Sequence, residues 1–195
     1  HYPFRQYETG RGVRKSAIHD RLAAVGACHG EAFGWERPNW YAPEGVPPVY
    51  EYSYGRQNWF EHSANEHRAV RDGVALFDQS SFAKFRLEGR DAVRVLNRMC
   101  TNNVDVSPGR VIYTQWLNER GGIEADLTVT RLTETAFMIV GGAETEVRDF
   151  YWLKRHIPDD AHCVLTNVTS GMGVISIMGP RARDLMQSLT PADLS

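Results

Sequence analysis

Hydrophobic and polar positions recur with two different periods along this chain, and the changes between them predict its elements. Apolar residues three and four positions apart indicate helices over residues 16–25, 58–72, 91–99 and 144–156, with a last helix after Pro180. Alternation with period two indicates strands over residues 82–87, 111–117, 123–130, 136–140, 163–168 and 173–178. This order predicts an α+β fold with antiparallel or mixed sheets and packed helices, in which split βαβ units fit better than a doubly wound parallel sheet.

Helical spacing also predicts which side chains are buried. The helix over 91–99 is expected to bury Ala92, Val95, Leu96 and Met99. The helix over 144–156 is expected to carry its apolar side on Val147, Phe150, Tyr151 and the stem of Lys154. The last helix is expected to bury Ala182, Leu185, Met186 and Leu189.

The first fifty residues differ from the rest in composition. Prolines and aromatic residues are concentrated there, and regular periodicity is confined to the short helix over 16–25. Residues 34–40 are interpreted as a packed, irregular segment. We therefore predict a connecting segment over 1–50 and a separate domain over 51–195.

Composition narrows the classes of partner. The 195 residues are 42% hydrophobic, which suffices for one good core, and 22 basic against 24 acidic residues give a net charge of −2. This balance gives no electrostatic reason to expect nucleic acid or an anionic membrane, so a small molecule or another protein is expected. Three scattered cysteines favour a reducing compartment, and no apolar run has the length of a membrane span.

Asp126 is the most informative polar residue. It lies within the predicted strand 123–130, on the face opposite Ala125 and Leu127, although aspartate is depleted in strands. The pattern alone favours simple exposure to solvent, by roughly three to one, over a polar ligand site. Pairing of Leu117 with Ile123 would direct Tyr113 to the other face, whereas a register slip of one residue would reverse this, and the sequence leaves both registers open.

Common catalytic motifs are absent from the sequence. The histidines show no spacing typical of metal ligands, so no metal site is predicted. Serine hydrolase, phosphate-binding and dinucleotide-binding glycine motifs are missing as well.

Several short motifs, taken in order, resemble the folate-binding domain of the glycine-cleavage T-protein (aminomethyltransferase) family. The resemblance extends over about residues 50 to 195. The motifs are the segments 66–71, 76–82 and 89–92, Tyr113 with 117–119 and 121–123, and 178–180. Residues 1–50, with the segment 34–40, resemble the connecting domain of dimethylglycine and sarcosine dehydrogenases.

This resemblance implies a function. In such enzymes a flavin oxidises an N-methyl amine, and the folate domain captures the one-carbon unit as 5,10-methylenetetrahydrofolate. Asp126 falls on the family's essential aspartate, which orients the folate nitrogens and adjusts their protonation. Phe82, Tyr113 and Val140 fall where the family lines its folate channel. Tetrahydrofolate is thus the expected cofactor and small-molecule partner.

The resemblance also implies what lies elsewhere. FAD is expected only in an N-terminal flavin domain of the parent chain, which is the expected protein partner. We expect this fragment alone neither to oxidise amines nor to transfer one-carbon units, and its location to be cytoplasmic, or the mitochondrial matrix in a eukaryote. Two alternatives stay open: a non-catalytic folate-binding scaffold of the same superfamily, and a structural interaction domain in which Asp126 only faces solvent.

Overall fold

The computed structural model describes residues 5–195, which form two compact units. One unit contains residues 5–81 and again Gly173–Ser195, and the other is Phe82–Met172. The elements in chain order are α1 (His19–Ala24), β1 (Ala27–Ala32), β2 (Trp35–Tyr41), α2 (Phe60–Asp72), β3 (Ala75–Asp78), β4 (Ala83–Glu88), α3 (Ala92–Met99), β5 (Val111–Leu117), β6 (Ile123–Thr133), β7 (Ala136–Gly141), α4 (Glu146–His156), β8 (Val164–Asn167), β9 (Ile175–Met178) and α5 (Ala182–Gln187).

The first unit contains two small antiparallel sheets, β1–β2 and β3–β9. A two-residue turn joins β1 to β2, and both of its residues, Phe33 and Gly34, have positive φ, as the tight hairpin turn of this twist requires. The predicted helices over 16–25 and 58–72 are confirmed as α1 and α2, and α2 ends where Gly73 follows it.

The prediction of an irregular segment over residues 34–40 is wrong, because all of these residues except Gly34 belong to the strand β2. Trp35 and Glu36 are adjacent and both buried, and Pro38 interrupts the backbone donors, so no alternation with period two is visible in the sequence. The strand β3 was not predicted at all. It has only four residues, and its partner β9 lies far along the chain.

The second unit is a five-stranded antiparallel sheet in the order β5-β6-β7-β4-β8, covered by two helices. The core lies on one face, where alternate strand residues such as Phe85, Leu127 and Ile139 meet Leu96 of α3 and Leu153 of α4. Each of these side chains is almost fully buried. The predicted α+β class with antiparallel sheets is confirmed, as are the strands on which it was based.

The predictions of which helix residues are buried are correct for α3 and wrong for α4 and α5. All four side chains expected to be buried in α3 are buried. In α4 the prediction is wrong, because Val147 and Tyr151 are exposed while Asp149 and Leu153 are buried. The charged Asp149 lies on the buried face of α4 because Thr145 donates a hydrogen bond to its carboxylate and Arg148 forms an ion pair with it. In α5 none of the residues is buried, contrary to the prediction.

Candidate functional site

A β-bulge decides which side chains accompany Asp126. Leu117 pairs with Ile123, but the register shifts between Trp116 and Leu117, so that Gln115 lies opposite Asp126. The hairpin thus contains both registers that the sequence left open, one on each side of the bulge. Since a slip of one residue moves every side chain to the other face, Tyr113 and Gln115 share the face of Asp126.

The Asp126 carboxylate accepts one hydrogen bond on each oxygen. The Tyr113 hydroxyl donates to Oδ2 at 2.8 Å, and the Gln115 side-chain amide donates to Oδ1 at 3.1 Å. The hydrogen bond to Asp126 raises the pKa of Tyr113, so this phenol keeps its proton and stays a donor at neutral pH. Asp126 itself is exposed, as the alternation of the strand predicted.

A segment after α3 fixes the strand that carries these donors. The Thr101 amide donates to the Gln115 carbonyl at 3.0 Å, and the Asn102 side chain donates to the Tyr113 carbonyl at 2.7 Å. The Thr101 hydroxyl also lies 3.4 Å from Oε1 of Gln115, to which it donates. The backbone at Tyr113 and Gln115 is therefore held from the side where β5 has no neighbouring strand.

The other predicted site residues lie on the same face of the sheet as Asp126 or at its edge. Val140 pairs with Thr128 on one side and with Lys84 on the other, and Thr128 pairs with Tyr113, so these four residues form one row across the sheet. Phe82 directly precedes β4, and its carbonyl accepts a hydrogen bond from the Lys84 ammonium at 2.8 Å. Both helices of this unit pack on the opposite face of the sheet.

The loop between β5 and β6 is closed by its own side chains. Asn118 accepts hydrogen bonds from the amides of Arg120 and Gly122 and donates to Glu124 at 2.8 Å. Gly121 has φ +77°, the left-handed conformation that the turn requires and that favours glycine. Gly121 is thus a turn residue, and the loop holds the start of β6 in register.

Sequence reasoning missed the places of three polar residues: Gln115 beside the carboxylate, Thr101 in contact with Gln115, and Lys84 in the row of Val140. Gln115 was hidden by the bulge, because a regular hairpin would place Thr114 opposite Asp126. Thr101 lies in a segment without periodicity, so nothing in the sequence placed it beside β5. Lys84 alternates with the apolar Phe85 and Leu87 along its strand, yet it is only 2% exposed, and its position next to Val140 follows from the sheet order, which local patterns do not reveal.

Three cavities lie away from Asp126. Cavities of about 270, 430 and 410 Å³ are all lined by residues of the first unit, and none of them is lined by Asp126. The smallest is bordered by four aromatic side chains, Trp40, Tyr50, Tyr52 and Trp59. We place the candidate site at Asp126 because a carboxylate with defined donors on an open sheet face offers specific polar chemistry, and concavity alone does not.

Within residues 5–195, no three side chains of histidine, cysteine, aspartate or glutamate are grouped so as to hold a metal ion. Among the described helices, none has the length and apolar character needed to cross a bilayer.

Comparisons with known proteins identify the family of this chain. The profile of the family described as "GCVT N-terminal domain" matches residues 18–195. The chain is 45% identical over 195 residues to 4-methylaminobutanoate oxidase (formaldehyde-forming) of Paenarthrobacter nicotinovorans, covering 100% of this chain and 24% of the relative. It is 32% identical over 196 residues to mitochondrial dimethylglycine dehydrogenase of Homo sapiens, covering 100% of this chain and 22% of the relative.

A solved structure shows the same fold. The aminomethyltransferase T of the Bartonella henselae glycine cleavage system superposes with a TM-score of 0.71 at 24% identity, over 94% of this chain and 45% of that one. The predicted T-protein fold is thereby confirmed. The chain spans about a quarter of the length of the two curated relatives. The matched profile shows that the chain belongs to the family of the GCVT N-terminal domain.

Proposed function

We propose that this chain is the tetrahydrofolate-binding module of a flavin-dependent dehydrogenase that demethylates an N-methyl amine. The folate binds on the open face of the five-stranded sheet, and the one-carbon unit leaves as 5,10-methylenetetrahydrofolate. The observation that carries the proposal is Asp126, an exposed mid-strand carboxylate with one uncharged donor on each oxygen. Membership of a family shared with N-methyl amine dehydrogenases supports the choice of chemistry.

The residues present fit a reduced folate. A carboxylate can accept hydrogen bonds from ring nitrogens and can accept the proton that an attacking amine loses. Tyr113 and Val140, two strands apart in one row, offer an aromatic ring and an apolar surface for a flat ring system, and Phe82 lies at the edge of that surface. In this proposal Asp126 is the catalytic residue, and Phe82, Tyr113 and Val140 bind the folate.

In this proposal FAD binds to a different domain and not to the residues described here. It would oxidise the amine in a flavin domain of the same polypeptide, which is then the partner of the folate module. The proposed location is the cytoplasm, or the mitochondrial matrix in a eukaryote, in keeping with the mitochondrial human relative.

A second candidate comes from the bacterial relative, whose name states that it forms formaldehyde. In that case the one-carbon unit would leave as formaldehyde, and the folate face would be accessory to the oxidation. The two candidates predict different products from the same amine, and they can therefore be separated.

The test uses the complete polypeptide that carries these residues, with an N-methyl amine and with or without tetrahydrofolate. We expect 5,10-methylenetetrahydrofolate in place of formaldehyde when the folate is present. Asp126→Asn should weaken tetrahydrofolate binding about tenfold or more, because a hydrogen bond to a charged group is lost. The control Asp159→Asn changes an exposed aspartate of the same unit and should match the wild type.

One result would refute the folate proposal. If formaldehyde is formed in equal amounts with and without tetrahydrofolate, and Asp126→Asn binds the folate as the wild type does, then Asp126 only faces solvent and the accessory reading is correct.

A further inference from the structure

The amide of Gln115 has a defined orientation. A glutamine side chain presents either its oxygen or its nitrogen to a neighbour, and the two ends are exchanged by a rotation about one bond. Here the Thr101 hydroxyl donates to Oε1 at 3.4 Å, which leaves Nε2 to donate to Asp126 at 3.1 Å. The Thr101 hydroxyl and the carboxylate of Asp126, which only accepts, therefore both favour the orientation in which Gln115 is a donor to the carboxylate.

Two donors hold the plane of a carboxylate where one donor does not. The terminal torsion of an aspartate is broad, so a single hydrogen bond from Tyr113 would leave the second oxygen free to rotate. Gln115 is two residues further along the same strand and holds that second oxygen. An ionised carboxylate has about four acceptor positions, so two remain after these bonds are made.

We propose that Gln115, oriented by Thr101, is a positioning residue that fixes the plane of the Asp126 carboxylate, so that its remaining acceptor positions meet N–H groups of a flat heterocycle on the open sheet face. The inference builds on the proposed function, since the heterocycle is the ring system of tetrahydrofolate. It goes beyond that function in assigning roles to two residues that do not bind the ligand themselves. The bulge after Trp116 is the device that brings Gln115 opposite Asp126.

The first measurement examines the network without any ligand. Carbon NMR of the tyrosine Cζ, assigned with Tyr113→Phe, follows the titration of the Tyr113 hydroxyl. The hydrogen bond to Asp126 raises the pKa of Tyr113, and the Gln115 side chain lowers it. Asp126→Asn should therefore lower the Tyr113 pKa, whereas Gln115→Met, which keeps the side-chain length without a donor, should raise it. Gln187→Met, on α5, is the matched control and should leave it unchanged.

The second measurement is calorimetric titration of the same variants with tetrahydrofolate. We expect Gln115→Met to bind about fivefold more weakly, since one hydrogen bond that orients a charged group is removed. Thr101→Ser keeps the hydroxyl and should bind as the wild type does, while the isosteric Thr101→Val should lose part of the affinity. Thermal unfolding of each variant separates a loss of positioning from a loss of fold.

The outcomes distinguish this inference from the proposed function. A raised Tyr113 pKa together with weaker folate binding in Gln115→Met supports both. Unchanged folate binding in that variant overturns the positioning role of Gln115. An unchanged Tyr113 pKa overturns the proposed arrangement of Gln115 beside Tyr113 and Asp126. If the wild type binds no tetrahydrofolate while the Tyr113 pKa responds as expected, the proposed function is wrong, and the orientation of Asp126 by Gln115 stands.

Discussion

Acid should weaken the β1–β2 hairpin through one buried carboxylate, Glu36. Its side chain is only 5% exposed and pairs with Arg11 through a two-pronged contact, in which Nε donates at 2.8 Å and Nη2 at 2.7 Å. The amide of Gly12 donates a third hydrogen bond at 2.6 Å. This cluster attaches the segment before α1 to β2.

The size of the effect follows from the pKa of Glu36. The hydrogen bonds from Arg11 lower it from 4.5 to about 2, against the opposing effect of burial. Because one pKa unit corresponds to about 1.4 kcal/mol, the charged form stabilises the folded state by about 3 kcal/mol at pH 7. The folded pKa is the lower one, so this stabilisation is complete above pH 4.5 and is lost as the pH falls toward 2. At pH 3.5 about 2 kcal/mol should remain.

The perturbation is Glu36→Gln, which keeps the shape and removes the charge. We expect the variant to be less stable at pH 7 by about 2–3 kcal/mol, with the difference narrowing by about 1 kcal/mol by pH 3.5. Because the two units need not unfold together, amide hydrogen exchange within β1 and β2 is the appropriate assay. Glu44→Gln, at an exposed position, is the control.

Two results would refute this reasoning about Glu36. A difference that stays constant from pH 7 to pH 3.5 would mean that the substitution acts through packing and not through charge. No difference at pH 7 would mean that desolvation of the pair cancels its attraction.

Two further predictions concern the five-stranded sheet. Leu87→Ala removes a fully buried side chain of β4 and should lower the free energy of unfolding by about 3 kcal/mol, measured by urea denaturation, whereas a loss below 1 kcal/mol would show that the core refills the cavity. Gly89→Ala should cost more than Gly109→Ala in the same assay: both glycines have positive φ, but a Cβ at Gly89 would lie 2.2 Å from the carbonyl oxygen of His162, while one at Gly109 meets nothing within 4 Å. Equal losses of unfolding free energy in the two variants, at about 1–2 kcal/mol each, would show that the positive φ alone causes the destabilisation.

Where the sequence predicted the fold correctly, the information was local. Ala125 and Leu127 are buried and Asp126 is exposed because alternation along one strand fixes the two faces of a sheet. The four buried residues of α3 follow in the same way from helical spacing. Neither inference requires knowledge of a partner element.

Where the sequence failed, the cause lay in distant partners. Glu36 is buried inside β2 because Arg11, which precedes the strand by a helix and another strand, neutralises it. A buried charge next to Trp35 hides the alternation by which a strand is recognised. The short strand β3 shows the same limit, since only its pairing with β9 defines it.

The candidate site was only partly visible for a related reason. Asp126 could be selected because a carboxylate in mid-strand is unusual, and the family resemblance placed Tyr113 near it. Their hydrogen bond depends on a one-residue bulge, which no local pattern reveals, and so does the participation of Gln115. The domain boundary at residue 50 and the roles of Phe82, Tyr113, Val140 and Asp126 in folate binding stay predictions.

Glu36 and Asp126 are both carboxylates within strands, and the difference between them is the strongest physical argument for a ligand at Asp126. Glu36 is buried, and a guanidinium meets its charge, so it has a structural task. Asp126 is exposed, and its two donors, Tyr113 and Gln115, carry no charge. Its orientation is therefore fixed while its negative charge is not neutralised by either partner. A side chain in that state is suited to bind a ring nitrogen or take its proton, because neither of its two donors carries a positive charge that would offset its own.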